Sequence, residues 1–474
     1  MLKHPIVRRL AVAAVLAFIL AAAFWVRRQT FWIPHWQGDQ SQYVALAMKL
    51  DRQGLAGYHL YNVAIRIITI KGTDRWQVIY PTLTENRDVG DIIRAYEMHG
   101  LTYYDMPLFY KAPLFPMTLM YAHRILTSGD HPYLIVKTNL REEVLKTRPD
   151  WFFQAQFWAV IVPLVSNLLV ILFTYLLGRR LFGDREGLYA AAIMAFNPIG
   201  VVSSNRLLTE DFSGFFAIAT VWCFLGALRS SSWLGAFGAG LVAGLAILAK
   251  QNSILVLGVL CLYSSAVALR RADRSRPGPF FAAVFNPYVL CLVAGAAFVS
   301  LHWFVKVFQV YGTPIYEPTA QEILKGDETG WHDVLHRRPH AAILYTVGLC
   351  YLCPPMLVGY LSALRSGLGR WIAPVRSSVV WPQVLLWIWF GAFFVFFVTR
   401  GESREQRYLL PVHPALAILS ASMLAGLRER IAPRSGAWLS EGLVVVFLVL
   451  SAWWSVPMAL ETIFDEKFLI LKPF

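Results

Sequence analysis

The turn Asn205-Arg206-Leu207-Leu208-Thr209-Glu210-Asp211 is followed by FSGFFAIATVWCFLGAL (212–228), a run without a single charge that stops at Arg229. After only four residues a second uncharged run, WLGAFGAGLVAGLAILA (233–249), begins and ends at Lys250. A helix rises ~1.5 Å per residue, so runs of this length approach the ~30 Å hydrocarbon core of a bilayer. Two of them joined by a short charged turn predict a helical hairpin through a membrane.

The same pattern extends in both directions. Charge-free runs lie near 10–26, 151–177, 187–204, 251–269, 281–301, 341–364, 377–398, 408–427 and 442–459, which with the first two make eleven candidate spans. The first could also be a signal peptide, given Ala21, Ala22 and Ala23, but it serves an integral protein as a first spanning helix. Of the 474 residues 57% are hydrophobic and only 15% charged, against about 25% in soluble domains, which excludes a soluble globule. The expected fold class is an all-α polytopic membrane protein, read as one integral domain over 1–474 without visible repeats or linkers.

The net charge of +14 reads first as loop charge that sets topology rather than as a nucleic-acid footprint. The short loops at 178–186, 229–232, 270–280, 365–376 and 428–434 are rich in Arg and belong in the cytoplasm. Eleven spans from a cytoplasmic N-terminus satisfy all of them, provided 27–150 is one long external loop. That loop contains Leu114 to Leu126, too short to span and expected to be an interfacial helix. A second large external loop covers 305–340, with Tyr311–Pro318 as a turn-forming lid or a simple linker. The five cysteines all lie within apolar runs and are assigned no function.

Ionisable groups near membrane depth are costly, so those at external span ends carry the functional information. Asp39, in Gly38-Asp39-Gln40-Ser41-Gln42-Tyr43, precedes a short amphipathic helix and reads either as its N-terminal cap or as a general base beside the bilayer. Lys111, between Tyr110 and Pro113, suits a phosphate headgroup or simple snorkelling. Glu210 and Asp211 are adjacent carboxylates that cannot both ionise comfortably in a dry site, so one pairs with Arg206 or a metal or has a raised pKa, or the two are a solvated cap. Arg400, Arg404 and Arg407 stand outside against the positive-inside tendency; arginine's planar fork suits a lipid-linked phosphate, with Glu402 and Glu405 as alternative neutralising partners.

Taken in order along the chain, these residues resemble the GT-C superfamily of integral membrane glycosyltransferases, in the branch of protein O-mannosyltransferases and lipid A aminoarabinose transferases. The matching segments are Asp39 with Tyr43, Lys111-Ala112-Pro113-Leu114, Leu177-Gly178-Arg179-Arg180-Leu181-Phe182-Gly183, Arg206-Leu207-Leu208-Thr209-Glu210-Asp211, Gly244 to Lys250, and Arg407-Tyr408-Leu409-Leu410-Pro411. The resemblance implies a GT-C fold, a polyprenyl-phosphate sugar donor, an active site on the external face, Asp39 as catalytic base and inversion at the anomeric carbon. Lys111 takes the place of the family's Lys-Pro-Pro lysine, with Ala112 where the family has its first proline. Glu210 or Asp211 takes the second acidic position.

Displacing a polyprenyl phosphate from an anomeric carbon needs a base for the acceptor hydroxyl and cations for the departing charge. Asp39 is the expected base. Lys111, Arg404, Arg407 and Lys250 are the expected phosphate ligands, and Glu210, Asp211, Arg206, Tyr43 and Tyr408 the groups that orient sugar or acceptor. No cofactor is expected; the chain offers no metal ligand set, which predicts metal independence. The aromatics of the first loop, among them Trp32, Trp36, Trp76, Tyr103 and Tyr104, predict surface helices that build an acceptor groove. The partners implied are the lipid-linked donor, membrane lipids and an acceptor lipid, glycan or protein. A bacterial inner-membrane enzyme with its site facing the periplasm fits the compact chain. A transporter or flippase of an anionic lipid-linked sugar is the main rival, opposed by nearly charge-free span interiors. A non-catalytic binder of lipid-linked sugar is the third.

Overall fold

A computed structural model of the chain describes residues 5–29, parts of 40–54, 64–70, 76–79, 101–107, 111–127, 149–271, 286–311, parts of 342–361, 382–400 and 406–462. The helices are α1 (Pro5–Arg28), α2 (Leu114–Thr127), α3 (Pro149–Leu181), α4 (Asp184–Ala195), α5 (Pro198–Ser203), α6 (Thr209–Ser230), α7 (Trp233–Ala249), α8 (Ile254–Arg271), α9 (Pro287–Tyr311), α10 (Pro382–Arg400), α11 (His413–Ser435) and α12 (Ala437–Thr462). Among the described residues seven helices are long and apolar enough to cross a membrane, and the segments Trp233–Ala249 and Pro382–Val398 are shorter apolar helices. The membrane part is all-α.

Two expectations change. The stretch 187–204 is not one span. α4 ends at Ala195 and α5 restarts at Pro198, because a proline lacks the N–H a continuing helix needs and pushes the residue before it out of the helical region. Asn197 caps the new start, accepting from the N–H of Ile199 at 3.0 Å. The expected span at 341–364 is only partly described, so the count of eleven stands outside what these residues decide. Second, the first long loop is not built from helices alone. Ala64–Ile70 (β1), Trp76–Ile79 (β2) and Leu101–Pro107 (β3) form an antiparallel sheet of order β2-β1-β3, with Arg66 opposite Ile79 and Ile70 opposite Leu101. The isoleucine-rich AIRIITI of β1 has the β-branched composition that suits a pleated surface.

The short helix at 114–127 is present and amphipathic. Phe115, Leu119, His123 and Thr127 recur every fourth residue on its buried side, while Tyr121 and Ile125 are exposed. Against it packs the helical segment that contains Tyr43, Leu46, Ala47 and Leu50, buried at i, i+3, i+4 and i+7. Arg124 ion-pairs with Asp51 and ties the two together.

α7 and α9 cross at backbone contact. A Cβ placed on Gly240 would lie 2.2 Å from the Leu292 carbonyl oxygen, and one on Gly295 would lie 2.3 Å from that of Phe237. Small residues permit such an approach, which matters within a bilayer because lipid supplies little apolar driving force between helices. Gly240→Ala forces the two backbones apart and is expected to lower stability by about 1–3 kcal/mol or more. Gly258→Ala, where the new methyl meets open space, is the control. Unfolding midpoints in detergent decide; equal midpoints for both variants would refute close packing at this crossing.

One end of the bundle carries a set of ion pairs. Asp184 meets Arg8 at 3.0 Å and Arg179 at 2.8 Å, and Glu441 meets Arg428 at 2.9 Å and Arg185 at 3.5 Å. The first turn of α6, with Glu210 and Asp211, lies at the opposite end of that helix from Arg229.

Candidate functional site

Four separate pieces of chain meet at the start of α6. Its first turn presents Thr209 and Glu210, and negative side chains are favoured at a helix start by the exposed N–H groups there. Lys250 occupies the turn where α7 stops and a 3-10 turn (Gln251–Ser253) starts, so its side chain leaves the helix end rather than a helix face. Lys111 and Ala112 sit in the bend just before α2. A 3-10 segment (Gln406–Val412) delivers Arg407 and Tyr408. Together with Tyr43 these line or border one cleft, whose wall includes Tyr43, Lys111, Glu210, Lys250 and Tyr408.

The centre of the cleft is a carboxylate between cations. Glu210 Oε1 lies 3.0 Å from Lys250 Nζ and 3.6 Å from Arg407 Nε. The same two cations face the ring of Tyr408, at 4.7 Å for Lys250 Nζ and 5.3 Å for the Arg407 guanidinium carbon. Lys111 Nζ stands 5.1 Å from the centre of the Tyr43 ring, and that ring meets Phe115 edge-on. Burial pulls the Lys250 ammonium down, but the Glu210 carboxylate, aided by Tyr408 and Tyr43, more than offsets it and holds the group above its ordinary range, with Arg407 opposing. Lys250 is therefore a cation at neutral pH.

The adjacent carboxylates have opposite destinations. Asp211 turns away from the cleft into the bundle, where its Oδ2 accepts from Ser203 Oγ at 2.6 Å and its Oδ1 from Asn167 Nδ2 at 2.7 Å. Asn167 Oδ1 in turn accepts from Arg27 Nε at 2.7 Å, and Arg27 Nη1 donates to the carbonyls of Ala195 and Ala23. Arg27 is fully buried. Asp211 thus belongs to a relay that joins α1, α3, α5 and α6 behind the cleft. Arg206 is buried in the turn that leads into α6.

Of the residues singled out from sequence, Tyr43, Lys111, Glu210, Lys250, Arg407 and Tyr408 come together, although up to 365 positions separate Tyr43 from Tyr408 (408 − 43). Asp39, Arg404, Glu402 and Glu405 lie outside the described residues, as do Trp32, Trp36 and all of the expected lid segment after Tyr311, which ends α9. The neighbour of Asp39 is described: Gln40 is buried, and its Oε1 accepts the N–H of Leu207 at 3.0 Å, which moors that segment to the turn before α6. Sequence reasoning passed over Gln40, Gln251 and Asn252, the last two of which also line the cleft. The signal was present for the latter pair: two amides directly after a span-end lysine. Among the described residues no three His, Cys, Asp or Glu side chains group as metal ligands would.

Residues 152–299, which include Glu210 and Lys250, match the family model described as dolichyl-phosphate-mannose-protein mannosyltransferase. No curated protein matches the chain. Among solved structures, the oligosaccharyltransferase AglB from Archaeoglobus fulgidus, in complex with an inhibitory peptide and a dolichol-phosphate, is similar at TM-score 0.53 and 14% identity. The match covers 96% of this chain and 56% of that one, so this chain spans little more than half of AglB's length. ArnT from Cupriavidus metallidurans in the apo state is similar at TM-score 0.51 and 14% identity, covering 97% of this chain and 78% of that one. At such identities the likeness is one of fold. The chain shares the fold of AglB and ArnT, in agreement with the fold that the sequence resemblance implied.

Proposed function

We propose that the protein transfers a sugar from a polyprenyl-phosphate donor to an acceptor hydroxyl on the external face of the membrane, in a bacterial cell at the periplasmic side of the inner membrane. The observation that carries this reading is the convergence of Lys111, Lys250 and Arg407 with two aromatic rings on one cleft. Three cations at the end of a helical bundle suit an anion at headgroup depth. The match of residues 152–299 and the dolichol-phosphate held by AglB support the donor class.

In this reading Asp39 takes the acceptor's proton as its oxygen attacks the anomeric carbon. The bond from that carbon to the phosphate oxygen breaks, and its electron pair leaves with the phosphate. The leaving group passes from monoanion toward dianion, and Lys111, Lys250, Arg407 and Arg404 stabilise the added charge. Attack opposite the leaving phosphate inverts the anomeric configuration. Tyr43 and Tyr408 present ring faces against which a sugar or an isoprene unit packs.

The test uses the full-length protein in a membrane host, with lipid-linked sugars and glycosylated products compared by mass spectrometry. Lys111→Met removes one cation from a nearly buried position and is expected to slow transfer about 10²-fold, with the donor accumulating. Unchanged product together with altered distribution of the lipid-linked sugar across the membrane would overturn transfer in favour of a flippase.

A further inference from the structure

Glu210 sets a carboxylate oxygen against two of the cations proposed to hold the lipid phosphate. A single oxygen, Oε1, contacts Lys250 Nζ at 3.0 Å and lies 3.6 Å from Arg407 Nε, and both cations also lean on Tyr408. The Glu210 side chain is 4% exposed, while those of Arg407 and Lys250 are 12% and 18% exposed, so the carboxylate is the most enclosed of the three charges at the cleft. Resting on the proposed donor class, we propose that Glu210 is an internal counter-anion: it competes with the lipid phosphate for Lys250 and Arg407, and so sets how fast the spent polyprenyl phosphate leaves.

The charges argue for this role. Among the described residues the cleft holds three cations, Lys111, Lys250 and Arg407, against one carboxylate, Glu210, a surplus of two positive charges. A sugar phosphodiester brings one negative charge. The phosphate monoester left after the anomeric bond breaks carries close to two at neutral pH. The site therefore matches the leaving group better than the donor, which helps the chemical step but holds the product. A carboxylate already bound to two of the cations opposes that hold. It also keeps the cations apart from one another and in place when no lipid is bound, so the cradle need not reorganise on binding.

The experiment measures binding without turnover. Full-length protein in detergent is titrated with a short-chain isoprenyl monophosphate, with the monomethyl ester of that phosphate and with the isoprenyl alcohol. Wild type is expected to bind the monophosphate more tightly than its methyl ester, and the ester more tightly than the alcohol. Glu210→Gln, nearly isosteric, is expected to tighten the monophosphate by about tenfold or more, because an ion-pair competitor within 3–4 Å of the same cations is gone. In turnover the variant lowers KM for the donor and lowers kcat as product release becomes limiting. An unchanged or weaker monophosphate affinity in Glu210→Gln, with wild type still preferring phosphate to alcohol, overturns the counter-anion role and leaves the proposed transfer standing. Should Glu210→Gln fail to fold, wild type alone decides, since equal affinity for monophosphate and methyl ester contradicts the charge match. No preference for either phosphate over the alcohol defeats the donor class itself.

Discussion

Asp39→Asn is expected to reduce sugar transfer by about 10²–10⁴-fold, the range over which a positioned general base contributes. Asparagine keeps the size and hydrogen-bonding shape of the side chain but cannot accept a proton at neutral pH. Gln40 is held by the Leu207 N–H, and Tyr43, one helical turn on, faces the Lys111 ammonium. Gln40 and Tyr43 are thereby fastened to the turn before α6 and to the cleft that holds the proposed phosphate ligands. Phosphate leaving groups need no proton, so the loss should fall on kcat, with affinity for an isoprenyl monophosphate kept. Membranes that contain the variant should accumulate the donor, whose mass then names the sugar. Equal amounts of product from wild type and variant, at equal expression, would remove Asp39 from the mechanism.

What was legible in the sequence follows from what a bilayer penalises. Spans show themselves because each must be apolar over its whole length, and α6 and α7 were bounded to within a few residues by Asp211, Arg229 and Lys250. Glu210 and Lys250 stood out because they are ions at span ends, and Lys111 because it precedes a short interfacial helix. Their partnership did not, since nothing local says that Glu210 meets Lys250, 40 positions away, and also Arg407. The choice between Glu210 and Asp211 was equally hidden: neighbours on a helix are about 100° apart, so only the surroundings decide which faces the cleft. Nothing in the sequence distinguishes Arg27 from its neighbour Arg28 at the end of α1, and only the packing shows it enclosed. Asn167 had a signal that went unused, an amide in the middle of a charge-free span. Asn197-Pro198 likewise carried a break that averaging over 187–204 concealed. The sheet in the first long loop was masked by its aromatic content, which suits strands and headgroup depth alike.

Arg27→Met is expected to destabilise the protein by about 3–5 kcal/mol, the largest stability effect the structure implies, because it strips a buried carboxylate of its compensating charge. The relay runs Arg27 to Asn167 to Asp211, with Ser203 on the far oxygen, and every link is 2.6–2.7 Å long. In this chain of bonds the Asn167 amide links the two charges, accepting from the guanidinium with its oxygen and donating to the carboxylate with its nitrogen. Asp211→Asn alone leaves Arg27 as the uncompensated charge and should cost a similar amount. The double variant Arg27→Met with Asp211→Asn removes both charges and should recover much of the loss, since neutral buried groups demand far less of their surroundings than an unpaired ion. Unfolding midpoints for wild type, the two single variants and the double variant form the cycle. Recovery in the double variant shows that charge balance is what the relay supplies. Additive losses would mean that Arg27 and Asp211 act independently, each through its own carbonyl or hydroxyl partner. Activity separates this scaffold role from the cleft: a double variant that folds should retain transfer, because Glu210, Lys250 and Arg407 keep their contacts when only the far side of the α6 turn has changed.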